Sequence, residues 1–126
     1  MGPRQYAFAH MIIGLHAILF TDDPVATRSF LRGTLGLDSV DAGGGWLIFA
    51  GPPAEVAVHP AEGQPHHEVY LMCDDIHATV ADLEAKGAEF VEGVVEQRWG
   101  LSTTLKLPGG GELPLYEPRH PSPLIT

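Results

Sequence analysis

The chain has 126 residues and a mass of 13.5 kDa, a size that fits one domain or two small repeated halves sharing a core and excludes a multi-domain machine. Seven Lys and Arg against sixteen Asp and Glu leave a formal charge of −9 and an isoelectric point near 5.0, a field that repels nucleic-acid phosphates and anionic membrane surfaces. With 44% hydrophobic and 18% charged residues, the composition supports a packed core rather than a disordered chain.

Residues 1–10, MGPRQYAFAH, show no usable periodicity and read as a disordered extension or tag. The longest apolar stretch, Met11 to Phe20, is interrupted by His16 and falls short of the roughly 18 residues that a spanning helix needs. Arg4 faintly suggests a signal peptide, but Thr21-Asp22-Asp23-Pro24 stands where a small-residue cleavage site would be. Cys73 is the single cysteine, which excludes an intramolecular disulfide and a four-thiolate zinc site. These features together predict a cytoplasmic protein with neither nucleic acid nor membrane as partner.

An internal repeat organises the rest. LHAILFTDDPVATRSFL (15–31) lies over HEVYLMCDDIHATVADL (67–83) without a gap, matching both Asp-Asp pairs and both Ala-Thr pairs. Each copy runs from a strand-like segment through Asp-Asp into a helix. In the first copy, Asp22-Asp23 caps and Pro24 takes the first helical position, where its missing N–H costs nothing; the helix ends near Gly33 to Gly36. In the second, Asp74-Asp75 caps, Ile76, Val80 and Leu83 repeat at helical spacing, and Gly87 closes the helix in the left-handed conformation. Strands are predicted around Val40 and at Trp46–Ala50 and Glu55–His59, then at Glu89–Val91, Leu101–Leu107 and Glu112–Tyr116. Each half therefore reads βαβββ, with module one at 11–60, a linker at 60–65, module two at 66–119, and a tail at 120–126. Gly109-Gly110-Gly111 lacks the Lys-Ser/Thr pair and helix of a phosphate loop and reads as a hairpin turn.

Strand alternation sorts the side chains. His16, Ile18 and Phe20 share one face of the first strand, and Glu68, Tyr70 and Met72 share the equivalent face of its repeat. Their mixture of polar, aromatic and Met residues suits a pocket wall. Glu55, Ala57 and His59 share a face, as do Glu112, Pro114 and Tyr116 in the matching strand. His67 points toward the helix side and reads as a hydrogen-bonded core or interface histidine, His120 carries no pattern, and Cys73 reads as a small buried hydrophobe.

The strand–DDP–helix–LG segment GLHAILFTDDPVATRSFLRGTLGL, the second HHEVYLMCDD–helix–AKGAEF, and the closing WGLSTTLKLPGGGELPLYEP together resemble the vicinal oxygen chelate superfamily. That superfamily groups glyoxalase I, extradiol dioxygenases, fosfomycin-resistance enzymes and bleomycin-resistance binding proteins. The resemblance covers Met11 to Pro118 and implies an α+β fold in which two tandem βαβββ modules form a cupped mixed sheet around a cavity. It also implies a metal site, with ligand positions falling on His16, on Ala57 or, if that strand slips by two residues, His59, and on Glu68, where His is more usual. The fourth position is occupied by Pro114, which cannot coordinate a cation, and Glu117 alternates to the opposite face.

Two functions follow from the resemblance. In one, His16, His59 and Glu68 hold divalent Fe, Mn, Ni or Zn with open positions for a substrate's vicinal oxygens. His16 and Glu68 would be the catalytic residues of a lyase, isomerase or dioxygenase. In the other, the loss of ligands leaves a metal-free pocket that sequesters an antibiotic-like small organic molecule, and the net negative charge favours a cationic or neutral guest. Phe20, Tyr70, Met72, Trp99 and Tyr116 are the expected lining residues in both, and a homodimer is the expected assembly.

Overall fold

The computed structural model describes residues 16–124. Its best-formed part is a four-stranded mixed sheet in the second half, ordered β3-β6-β5-β4. The strands are β3 (Leu71–Met72), β4 (Val95–Gln97), β5 (Gly100–Leu107) and β6 (Gly111–Pro118). β5 and β6 form an antiparallel ladder from Gly100↔Pro118 to Leu107↔Gly111, and β3 joins β6 in parallel through Leu71↔Leu115 and Met72↔Tyr116. The chain turns between β5 and β6 at Gly109 and Gly110, both with positive φ, as the hairpin reading expects.

Alternation along β5 and β6 gives the sheet two unlike faces. Leu105, Leu107, Leu113 and Leu115 are buried and pack with Ile76 and Leu83 of helix α2 (Ile76–Ala85). Burying each such side chain contributes about 1.5–3 kcal/mol. Asp75 Oδ1 caps α2 by accepting from Ala78 N–H at 3.0 Å. Gly87, at φ +92°, ends it, with Ala88 N–H donating to the Leu83 carbonyl at 2.9 Å. Glu117 projects to this helix face, where its Oε1 accepts from Ile76 N–H at 3.0 Å.

The first half is less regular. Helix α1 (Pro24–Ser29) is capped by Asp23 Oδ1, which accepts from Ala26 N–H at 3.0 Å, and begins with Pro24 as expected. It continues into one wider π-helical turn, Phe30–Thr34. β1 (Ser39–Asp41) and β2 (Leu47–Phe49) form a separate antiparallel hairpin. The strands expected over 15–22 and at Glu55–His59 form no ladder among the described residues. Alternation reads which way side chains point, but a strand exists only if another edge supplies hydrogen bonds, and none does so here.

The halves meet at the glycine-rich hairpin. Asp22 N–H donates to the Gly109 carbonyl at 3.1 Å. The buried Thr27 hydroxyl lies 2.6 Å from the Pro108 carbonyl oxygen and 2.8 Å from that of Asp23. Phe30 and Leu35 add apolar contacts to the shared core.

Candidate functional site

The sheet face away from α2 carries the site. Parallel pairing of β3 with β6 and the Thr104↔Pro114 register bring Tyr70, Thr104, Glu112 and Pro114 together on this face. With Leu19, His67, Glu68, Val69 and Leu113 they line an open pocket of about 440 Å³. Two carboxylates and no guanidinium or ammonium group line it, which favours a cationic or neutral guest.

Glu68 is already engaged. Its Oε2 lies 2.8 Å from His66 Nε2, and its Oε1 accepts from the Tyr70 hydroxyl at 3.1 Å. The His66 contact, followed by that of Tyr70, holds the Glu68 carboxyl below the usual carboxylate range, with the charge of His59 the smallest contributor. His66 is pushed up in turn, because its other nitrogen faces the Gln64 carbonyl at 3.0 Å and its Nε2 faces Glu68. Desolvation, then the hydrogen bond to Glu68, raises the Tyr70 phenol.

Beside this pocket stands an aromatic cluster. Tyr116 meets Trp99 edge to face at 5.1 Å between centroids and Tyr70 at 5.8 Å, and Tyr70 meets Trp99 at 6.2 Å. The Tyr116 hydroxyl donates to Glu55 Oε1 at 3.0 Å and lies 3.1 Å from His120 Nε2. Ser122 donates to Glu55 Oε2 at 2.5 Å. Burial, then the Glu55 contact, pushes the Tyr116 phenol up to about 12.

The expected site residues thus occupy different surroundings. Glu68 and Tyr70 line the pocket, while Trp99 faces a second depression and Tyr116 is 8% exposed, inside the cluster. Met72 is half-buried on β3, and Phe20 is 89% exposed. His67, read as facing the helix, is exposed and lines the pocket instead. His16 and His59 are exposed, and among the described residues no three His, Cys, Asp or Glu side chains converge to hold a metal ion. Neither segment carrying these histidines joins the sheet among the described residues, and of the two only His59 acts on Glu68, through its charge. Pro114 in the pocket wall supplies no donor atom, and the Glu68 beside it is hydrogen-bonded to His66 and Tyr70.

Sequence reading missed Glu55, His66, His120 and Ser122. Glu55 had a signal, since alternation put it on the face of Ala57 and His59. His66, His120 and Ser122 lie in proline-flanked segments without periodicity, where no sequence pattern points to a partner.

Several solved structures share the fold. TnmS3, an antibiotic binding protein from a Streptomyces species, is 24% identical with a TM-score of 0.61, over 86% of this chain and 99% of that one. A glyoxalase/bleomycin resistance protein/dioxygenase superfamily member from Sphaerobacter thermophilus is 22% identical with a TM-score of 0.62, over 86% and 99%. Lactoylglutathione lyase from Agrobacterium tumefaciens is 19% identical with a TM-score of 0.54, over 86% and 96%. Comparison with curated protein sequences finds no match. The model of the Glyoxalase/Bleomycin resistance protein/Dioxygenase superfamily matches residues 14–118, and the chain belongs to that superfamily.

Proposed function

We propose that the protein is a metal-independent binding protein that sequesters a cationic or neutral small organic molecule in the pocket bounded by Glu68, Tyr70, Thr104 and Pro114. One observation carries this reading: the Glu68 carboxylate, at an expected ligand position, is held by His66 and Tyr70 in a wall that also contains Pro114. A carboxylate so held keeps its charge toward the pocket as an acceptor for a ligand's N–H groups, and Tyr70 offers an aromatic surface beside it. The metal-dependent lyase, isomerase or dioxygenase is the competing reading, with His16, His59 and Glu68 as its ligands.

The name of TnmS3 makes an antibiotic the first probe to try. Titration calorimetry of a cationic glycopeptide-type antibiotic against an anionic thiol conjugate tests the reading. It predicts preference for the cation and loss of that preference in Glu68→Gln; preference for the anion overturns it.

The functional unit in this reading is a homodimer. The repeat equivalents of the β3–β6 pair are Leu19-Phe20 and Val58-His59, which form no ladder among the described residues. Phe20, Val56 and Val58 are 89%, 74% and 93% exposed, apolar surface that a second copy would cover. The free, half-buried Cys73 fits the cytoplasmic setting proposed for it.

A further inference from the structure

Seven Lys and Arg residues serve the whole chain, yet two of them, Arg98 and Arg119, line one depression of about 340 Å³ together with Trp99 and His120. The fold makes this juxtaposition. Gln97↔Gly100 pairing leaves Arg98 and Trp99 as the two-residue turn between β4 and β5, and Gly100↔Pro118 pairing places the end of β6 against that turn. Arg119 N–H then donates to the Trp99 carbonyl at 2.8 Å, fixing the two residues together.

We infer that this depression is an anion site for a planar aromatic carboxylate, separate from the acidic pocket, with which it shares no lining residue. Trp99 is braced edge to face by Tyr116 and Tyr70 and keeps 39% of its surface exposed, so an aromatic ring can stack on it without rearranging the cluster. The guanidinium groups supply the charge. Arg98 makes no ion pair among the described residues, and Arg119 has only a 3.5 Å contact with exposed Glu96, a pair too solvated to compete strongly with a ligand. A planar guanidinium matches a carboxylate bidentately. His120 offers its ring rather than a free donor, since Nδ1 faces the Pro121 carbonyl at 2.8 Å and Nε2 faces the Tyr116 hydroxyl at 3.1 Å. The volume accommodates a bicyclic ring system and lies at the lower end of small-ligand sites.

Titration calorimetry with 2-naphthoate and its neutral isostere 2-naphthamide tests this site on the full chain. The carboxylate is expected to bind roughly tenfold more tightly than the amide, and added salt should weaken it. Arg98→Gln combined with Arg119→Gln should abolish the preference while the circular dichroism spectrum stays unchanged. Glu68→Gln should leave naphthoate binding unaltered, which separates this site from the pocket of the proposed function. Equal affinity of the intact protein for carboxylate and amide would overturn the inference without any variant, as would unchanged naphthoate binding in the folded double variant.

Discussion

The Tyr116 hydroxyl donates to Glu55 Oε1 at 3.0 Å, tying the last strand of the sheet to a segment 61 residues earlier that joins no sheet among the described residues. This link holds the loosely structured part of the first half near the aromatic cluster. Tyr116→Phe removes the hydroxyl and keeps the ring contacts, so it should lower stability by about 1.5–3 kcal/mol, the range for a hydrogen bond to a charged group. Urea denaturation measures the loss, which should shrink in a Glu55→Gln background.

Acid should loosen the same link. The Ser122 hydroxyl, and after it the Tyr116 phenol and the charge of His120, hold the Glu55 carboxyl below its ordinary range, against desolvation that raises it. A depressed carboxylate contributes stability that is complete above its unfolded value, 4.5, and is lost as pH falls through the lower folded value. Stability plotted against pH should therefore fall less steeply below that point in Glu55→Gln than in the parent protein.

Thr27→Val should separate the contact between halves from ordinary helix capping. Thr27 is buried, with its hydroxyl shared between the Pro108 and Asp23 carbonyls, and the isosteric valine should cost about 1–3 kcal/mol. Its repeat equivalent, Thr79, donates to the Asp75 carbonyl at the start of its own helix at 2.7 Å and otherwise meets the neighbouring Cys73 thiol, with no contact to the other half among its hydrogen bonds. Thr79→Val should show a smaller loss in the same denaturation measurement.

Gly100 and Gly109 are fixed by close approach. A Cβ at Gly100 would collide with the Glu117 carbonyl oxygen, and one at Gly109 with the Thr21 hydroxyl, and both residues have positive φ. Gly100→Ala and Gly109→Ala should each cost more than about 1 kcal/mol, whereas Gly93→Ala, with open space around it, should be neutral or stabilising. Thermal unfolding of the three variants checks the order.

Much of this was readable from local chemistry. The caps at Asp23 and Asp75, Pro24 at the helix start, Gly87 at the helix end and the glycine hairpin each depend on a few neighbouring residues. Glu117 and Pro114 also fell on opposite faces by simple alternation. What could not be read were non-local partners. Residues 16–20 and 55–59 have strand patterns, but pattern alone does not supply an edge to pair with. His120 and Ser122 act through Glu55, a contact that no spacing in a proline-rich tail announces.

The exposed apolar segments also predict the assembly. Light scattering should give about 27 kDa, twice 13.5 kDa, and Val58→Asp, at a position 93% exposed in the single chain, should shift the mass toward the monomer. A monomeric parent protein would contradict the dimer.

The central claim is that the pocket holds its guest without a metal. The most direct test is calorimetric titration of a cationic glycopeptide-type antibiotic into protein stripped with a chelator and dialysed, compared with the same protein reloaded with Fe²⁺, Mn²⁺, Ni²⁺ or Zn²⁺. The account predicts saturable binding of equal strength in both, weakened in Glu68→Gln. Binding that vanishes on stripping and returns with one of these cations would contradict it.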